Sequence, residues 1–365
     1  MKAIRIEQYG GPEVLRLQDI PVPDPSEGEV LVRMAHAGIN VMDVGTRKGV
    51  FANSQTYPVH LPTTIGMEGA GTVERVGDGV IGFRPGDRVA YCLVWNSHAE
   101  FAAVPAWQLV HVPPGVPLSL AAAATFQGFT AHYLATDVGR LGPGRSCLVH
   151  AAAGGVGQLL VGFAARLGAT VYGTVRDEDQ KKIARERGAQ DVFLSDQGRF
   201  VAPLLELTDG AGVDVVFDSV GKPTLRDDFK VTRKKGLVVS FGSSGGAVDN
   251  FNPAELGEAG SLYLTRPRLK DHLSDADTIQ ARAVALYAGL ADGTLSLSLG
   301  RHYAMEQVGL AHADVEERKT GGKPLLDIAV DIASYVLIKR YAGVRPLSAS
   351  RCSEAGEGPE RSTCR

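Results

Sequence analysis

Cys147-Leu148-Val149-His150-Ala151-Ala152-Ala153-Gly154-Gly155-Val156-Gly157-Gln158-Leu159-Leu160 is the stretch on which the reading of this chain turns. A short apolar run over 147–151 ends in small residues and glycines, and a helical pattern over 158–167 follows. Residues 152–157 fit G-x-G-x-x-G with alanine in the first place. In such a turn Gly154 lets the backbone approach a pyrophosphate, and Gly157 lets the helix lie close to the strand. The helix N-terminus offers unpaired N–H groups and a partial positive charge to the phosphates. Thr170–Val175 reads as the next strand, so the motif sits in a strand–turn–helix–strand unit and predicts a dinucleotide site.

The end of the second strand reads the adenosine ribose in units of this kind. Here it is Thr174-Val175-Arg176-Asp177. Arg176 suits a 2′-phosphate, and so NADPH; Asp177, about 20 residues past Gly157, suits a 2′-hydroxyl, and so NADH. Asp177 also suits the start of a helix over 178–187, which has acids in its first turn, bases in its last and Gly188 beyond. We favour NADPH. Further strands over 192–195, 213–218 and 237–241 alternate with helical segments, which predicts a parallel sheet with helices on both faces. Before residue 120 the chain reads as mainly β. Short strands over 29–34, 69–76 and 88–91 are separated by turns such as Gly77-Asp78-Gly79 and Arg84-Pro85-Gly86-Asp87. A helix near 279–291 and a last strand near 324–328 complete the body. Residues 329–365, rich in Ser, Gly, Glu, Arg and Pro after residue 346, are expected to form a largely disordered tail.

Composition excludes several classes. The chain has 365 residues, 44% hydrophobic and 22% charged, enough to bury large cores and too apolar for disorder throughout. Its net charge of −3 gives no field to attract nucleic acid as a primary ligand. Glycine, 44 residues against a usual ~7%, has no collagen period and points to tight turns and close backbone approaches. Four scattered cysteines do not form a disulfide scaffold, no stretch reads as a signal peptide or a membrane span, and a cytoplasmic location is expected.

These features together resemble the zinc-independent quinone oxidoreductases of the medium-chain dehydrogenase/reductase superfamily, the group that includes zeta-crystallin. The resemblance runs from Met1 to about Ile328. It rests on Gly10-Gly11-Pro12-Glu13-Val14-Leu15, Ala37-Gly38-Ile39-Asn40-Val41-Met42-Asp43 and the 150–157 turn. It continues through Phe217-Asp218-Ser219-Val220-Gly221, Val239-Ser240-Phe241-Gly242-Ser243-Ser244-Gly245 and Gly260-Ser261-Leu262-Tyr263-Leu264-Thr265-Arg266-Pro267. It implies an α/β protein with a GroES-like, mainly-β catalytic domain (1–122 and 267–328) and a Rossmann doubly wound parallel sheet (123–266). It implies NADPH held by Asn40, Thr130, Ala153, Gly154, Gly155, Val156, Thr174, Ser219, Phe241, Gly242, Ser243, Ser244, Leu264, Thr265 and Arg266, in a homodimer or homotetramer joined along the 262–265 strand. Three positions depart from the family pattern. A common tyrosine is Gly45, and two residues that flank the 2′-phosphate in some members are Gln180 and Ser195. Arg176 is expected to take over that contact, with Ser195 as a further cofactor residue.

Zinc-dependent relatives carry a cysteine and a Gly-His-Glu where this chain has Asn40 and Gly66-Met67-Glu68. An amide oxygen and a thioether are poor zinc ligands beside thiolate and imidazole, so no metal is expected. The nine histidines are dispersed in sequence and read mostly as surface or satisfied core residues. Gly242-Ser243-Ser244-Gly245-Gly246 fits G-x-S-x-G, but the Ala-Val-Asp-Asn-Phe-Asn-Pro that follows opposes the helix a nucleophile elbow needs. The expected activity is NADPH-dependent reduction of a quinone by direct hydride transfer, with Asn40 positioning the acceptor or the nicotinamide carboxamide. The alternatives are reduction of an activated alkene (an enone, acrylate or enoyl thioester) and a nucleotide-binding structural or RNA-associated role.

Overall fold

The computed structural model describes residues 1–329, except the side chain of Gln197. The expected disordered tail lies outside the described residues but for Ala329. The N-terminal lobe opens with β1 (Lys2–Ile6), β2 (Arg16–Asp19) and the long β3 (Glu29–Gly38). Helix α1 (Val41–Arg47) follows, started by the Asp43 carboxylate, which accepts from the Asn40 backbone N–H at 2.7 Å. Then come β4 (Thr63–Thr64), β5 (Glu68–Val76), β6 (Arg88–Cys92), β7 (Phe101–Pro105) and β8 (Val110–His111). Alternation along β7, with Ala102 and Val104 buried between half-buried neighbours, marks a one-sided sheet strand.

Helix α2 (Leu118–Tyr133) leaves this lobe and lies against β3, β5 and β6 on one side and, on the other, α3 (Gly155–Arg166). It runs unbroken past residues 122 and 123, where the two domains were expected to divide. Beyond it, β9 (Ser146–Val149) leads into α3; then come β10 (Thr170–Val175), α4 (Glu178–Glu186), β11 (Asp191–Leu194), α5 (Val201–Leu207), β12 (Val213–Asp218), α6 (Leu225–Val231), β13 (Thr232–Ser240), α7 (Ala254–Glu258) and β14 (Tyr263–Thr265). The six strands form one parallel sheet in the order β11-β10-β9-β12-β13-β14, so order reverses beside β9. The carboxyl edge at such a reversal is where ligands sit in open α/β sheets.

The chain then returns through α8 (Ala276–Ala291), β15 (Leu299–Ala304), α9 (Val308–Glu316) and β16 (Lys323–Asp327). β16 closes the first lobe by pairing with β3, Leu325 opposite Gly38 and Asp327 opposite His36. The resulting seven-stranded sheet runs β15-β16-β3-β5-β6-β8, with β7 on the free half of β3. A mainly-β lobe and a doubly wound parallel sheet are thus both present, joined by the buried α2.

Candidate active site

The turn between β9 and α3 is built as a cradle. Gly154 caps α3 with extended backbone and no side-chain acceptor, so the first N–H groups of a twelve-residue helix are free of side-chain caps. A Cβ on Gly157 would stand 2.2 Å from the Ala151 carbonyl oxygen, which is why only glycine lets α3 lie this close. Ala151 itself is held at φ +51°, a strained value for a residue with a Cβ. Gly154 is exposed and Ala153, Gly155 and Val156 half-buried, so the turn faces open space at the carboxyl edge of the sheet. These features fit a nucleotide pyrophosphate.

At the end of β10 the two ribose candidates separate. The Asp177 carboxylate accepts from the Gln180 N–H at 3.0 Å, the first-turn cap of α4. Gln180 Oε1 in turn accepts from the Arg176 N–H at 3.2 Å. Asp177 is therefore spent on the helix, while the exposed Arg176 guanidinium has no partner among the described residues. Ser195 sits next to it, its N–H on the Val175 carbonyl at 2.8 Å. Thr174 differs from expectation. It is fully buried, and its hydroxyl lies 2.7 Å from His150 Nδ1, inside a His150–Asp228 pair at 2.6 Å. A hydroxyl committed to that interior pair is not turned to the cradle.

The ends of β12, β13 and β14 form the far wall. Asp218 staples the turn after β12, accepting from Val220 N–H at 2.7 Å and Thr224 Oγ1 at 3.0 Å. The Ser219 carbonyl accepts the Ser244 N–H at 3.0 Å and hydroxyl at 3.1 Å. Among the described residues no helix starts at Ser244 and no histidine bonds it, so the G-x-S-x-G segment is a Gly/Ser turn. Arg266 reaches from beyond β14 to the Ser240 and Gly242 carbonyls at 2.9 and 2.8 Å, tying Phe241, Gly242 and Ser243 to Leu264 and Thr265.

Beneath α2 lies a polar cluster that sequence reading reached at one residue only. The Asn40 side chain is 4% exposed. Its Oδ1 accepts from Lys323 Nζ at 2.6 Å, and its Nδ2 donates to Glu68 Oε2 at 3.1 Å. The Gln127 amide is turned so that its Nε2 donates to the Ala123 carbonyl at 2.9 Å and Glu68 Oε1 at 3.2 Å, and its Oε1 accepts from Lys323 Nζ at 2.7 Å. Lys323 Nζ also donates to Glu68 Oε2 at 2.8 Å; the two charged side chains are 4% and 0% exposed. Glu68 Oε1 takes the Phe126 backbone N–H of α2 at 2.7 Å. A Cβ on Gly38 would meet Glu68 Oε2 at 2.4 Å, so the GIN segment needs its glycine for this packing. Burial pushes the Asp43 carboxyl up to about 7, against the lowering effect of the Asn40 N–H. Thr130 is close by on α2, its hydroxyl donating to the Phe126 carbonyl at 2.7 Å. The Asn40 amide is therefore a fixed part of a charged network; its one loosely used N–H points to the Gly38 carbonyl at 3.4 Å.

The loop over 48–61 packs back on α1 and on the segment after β14. Phe51 stands edge-on to Tyr57 at 6.0 Å, and the Thr56 carbonyl accepts from Lys270 Nζ at 2.8 Å, which pins the loop to the segment after β14. Gly45 lies under the Phe51 ring, 3.0 Å from its would-be Cβ.

The donor set does not fit a catalytic zinc. Three oxygen donors converge here, Asn40 Oδ1, Gln127 Oε1 and Glu68 Oε2, and an ammonium already bridges them. Among the described residues the one group of three potential His, Cys, Asp or Glu ligands lies elsewhere, at His36, His302 and Asp327.

Comparison with known proteins agrees with this geometry. Residues 26–114 match the alcohol dehydrogenase GroES-like domain and residues 155–271 the zinc-binding dehydrogenase family. A quinone oxidoreductase of Pseudomonas aeruginosa is 36% identical over 327 residues, covering 89% of this chain and 99% of the relative. A 2-haloacrylate reductase of a Burkholderia species is 33% identical, covering 88% and 97%. The structure of Escherichia coli quinone oxidoreductase complexed with NADPH superposes with a TM-score of 0.84 at 33% identity, covering 90% of this chain and 100% of that one. The chain belongs to the quinone oxidoreductase family of the medium-chain dehydrogenases/reductases.

Proposed function

We propose that this protein is an NADPH-dependent quinone reductase that works without zinc. The observation that carries the reading is the Lys323 ammonium, which occupies the cleft oxygens beside an open nucleotide cradle. Ala153 to Val156 would hold the pyrophosphate, Arg176 and Ser195 the 2′-phosphate. Ser219, Phe241 to Ser244 and Leu264 to Arg266 would line the nicotinamide side, with Thr130 and Asn40 opposite. Bound there, NADPH supplies a hydride. The protein's own part is positioning: the 241–245 turn and the Asn40 cluster are both cross-braced, which favours proximity and orientation over acid–base chemistry.

The cluster also selects the acceptor. A ketone reduced by hydride leaves a localised alkoxide, which a Lewis acid would stabilise. Here the nearby cation is already neutralised by Glu68. Acceptors that spread the incoming charge over a ring or an enolate suit this site better. We infer two domains, 1–122 with 267–328 and 123–266, acting in the cytoplasm as a homodimer joined along β14, whose free edge exposes Tyr263 by 65%.

Steady-state NADPH oxidation tests the reading. Turnover is expected with 1,4-benzoquinone and naphthoquinones, to be negligible with ethanol or acetone and the matching coenzyme form, and to survive prolonged chelator treatment. Alcohol dehydrogenation exceeding quinone reduction, or activity restored only by added zinc, would overturn it. The 33% identity to a 2-haloacrylate reductase favours a second reading, reduction of an activated alkene. Strong enone or acrylate turnover without quinone turnover would establish that one, and NADPH binding without turnover would favour the structural role.

A further inference from the structure

Three side chains that the reaction does not use meet on the outer part of the seven-stranded sheet. Asp327 on β16 is paired in register with His36 on β3, while His302 on β15 is paired with Leu325, two residues before Asp327. Directly paired residues and residues two apart share a face, so all three point to one side. His36 Nδ1 lies 2.8 Å and His302 Nδ1 2.9 Å from the same oxygen, Asp327 Oδ1. The two rings stand edge-on at 89°, with centroids 6.1 Å apart, so neither blocks the other's approach to that oxygen. Each side chain is a quarter to a third exposed, at 25%, 33% and 30%, which leaves an open side. No lysine or arginine pairs with Asp327 among the described residues.

We propose that His36, His302 and Asp327 form a binding site for a divalent transition metal, of the zinc, nickel or cobalt kind, separate from the reductive cleft. Two imidazole nitrogens and one carboxylate oxygen suit those ions rather than magnesium or calcium, which prefer oxygen alone. Ligands at ~2.0–2.2 Å from a tetrahedral ion stand about 3.3–3.5 Å apart. The present spacing therefore needs to open by about half an ångström, within reach of side-chain rotation. Water would fill the remaining positions on the open side. Each imidazole gives up its Nδ1 proton, if it carries one there, and keeps Nε2–H facing solvent. The backbone needs no rearrangement, because the three strands are already hydrogen-bonded to one another. An ion held here would fasten β15 and β3 to β16. Lys323 lies on the same face of β16, four residues or about 13 Å from Asp327. The ion would thus brace the strand that carries the cleft ammonium without touching the cleft.

The test uses the full chain after chelator treatment. Calorimetric titration with zinc and nickel, and cobalt(II) absorption, should show a site whose spectrum lacks thiolate charge-transfer bands. The melting temperature should rise with the bound ion. His302→Ala and His36→Gln should each weaken that site at least about 100-fold, more than loss of an outer-shell partner does. Both should leave the fold intact by circular dichroism, and His272→Ala should leave the site's affinity unchanged. Quinone turnover should persist with and without the ion. If zinc, nickel and cobalt all fail to bind, or bind equally well to folded His36→Gln and His302→Ala proteins, the site is refuted and the trio is a hydrogen-bonded clip only.

Discussion

Lys323→Met is expected to lower the melting temperature by several degrees or more, because removing one member of a buried ion pair costs about 3–5 kcal/mol. The substitution keeps the volume and removes the charge. Glu68, fully buried, would then keep a carboxylate with the Phe126 N–H and the Asn40 and Gln127 amides as its remaining partners. Asn40 Oδ1 would lose its 2.6 Å contact with the ammonium. Glu68→Gln added to the same chain should recover most of the loss, since no unpaired charge then remains. The comparison of single and double variants isolates the pair from the packing. A single-variant loss below about 1 kcal/mol, the range of surface pairs, would show that the cluster is solvated and carries no buried charge. Turnover should fall even in the rescued double variant, because the Asn40 amide loses the group that fixes its rotamer.

Most strands of the parallel sheet were legible in the sequence as short apolar runs closed by turn residues; β13 was expected only over 237–241, because its opening Thr232-Arg233-Lys234-Lys235-Gly236 carries no apolar run. The bounds expected for β10 and β12 are those observed, and Gly188 stops α4 at φ +109°. Helix α2 was not legible as a helix. Its Leu118–Tyr133 sequence is buried nearly all round, with four consecutive alanines and no polar face, so no 3.6-residue stripe appears. Helix α1 carried a signal that passed unread as such: Asn40 followed three residues later by Asp43 is a start signature. The two side-chain clusters were hidden for a different reason. Residues 40, 68, 127 and 323 of the cleft, and 36, 302 and 327 on the sheet, are brought together by the return of β16 to β3. That return joins positions almost 300 residues apart and leaves no local pattern. The histidines looked dispersed for this reason, and the structure also gathers His98 and His312 as a buried pair with ring centroids 6.3 Å apart. What local sequence could have offered is the lysine opening an otherwise apolar last strand, Lys323-Pro324-Leu325-Leu326.

In the proposed nucleotide site Arg176, with Ser195 beside it, holds the 2′-phosphate, which makes its guanidinium the sharpest test of that site. Arg176→Ala is expected to raise the Michaelis constant for NADPH by about 10- to 150-fold, the range of a charge-assisted bond to phosphate. NADH, which has no 2′-phosphate, should be used nearly as before. The asymmetry follows from what the end of β10 already does with its charges. The Asp177 carboxylate is committed to the Gln180 N–H, and Gln180 Oε1 to the Arg176 N–H. Those bonds shape the turn through backbone and cap atoms, and none of them uses the guanidinium. Removing the guanidinium should therefore leave the turn standing and delete a phosphate contact alone. Asp177→Ala makes the opposite case: it should weaken α4 by the ~1 kcal/mol of a lost cap while shifting neither coenzyme selectively. Arg176 is exposed, so its contribution should shrink as salt rises, and the gap between NADPH and NADH should narrow with it. Equal losses with both coenzymes in Arg176→Ala would place the guanidinium in the turn's structure instead. A gain in NADH use from Asp177→Ala would return the ribose contact to the carboxylate. Either result would separate the 2′-phosphate reading from the cradle at Gly154 to Gly157, which depends on neither residue.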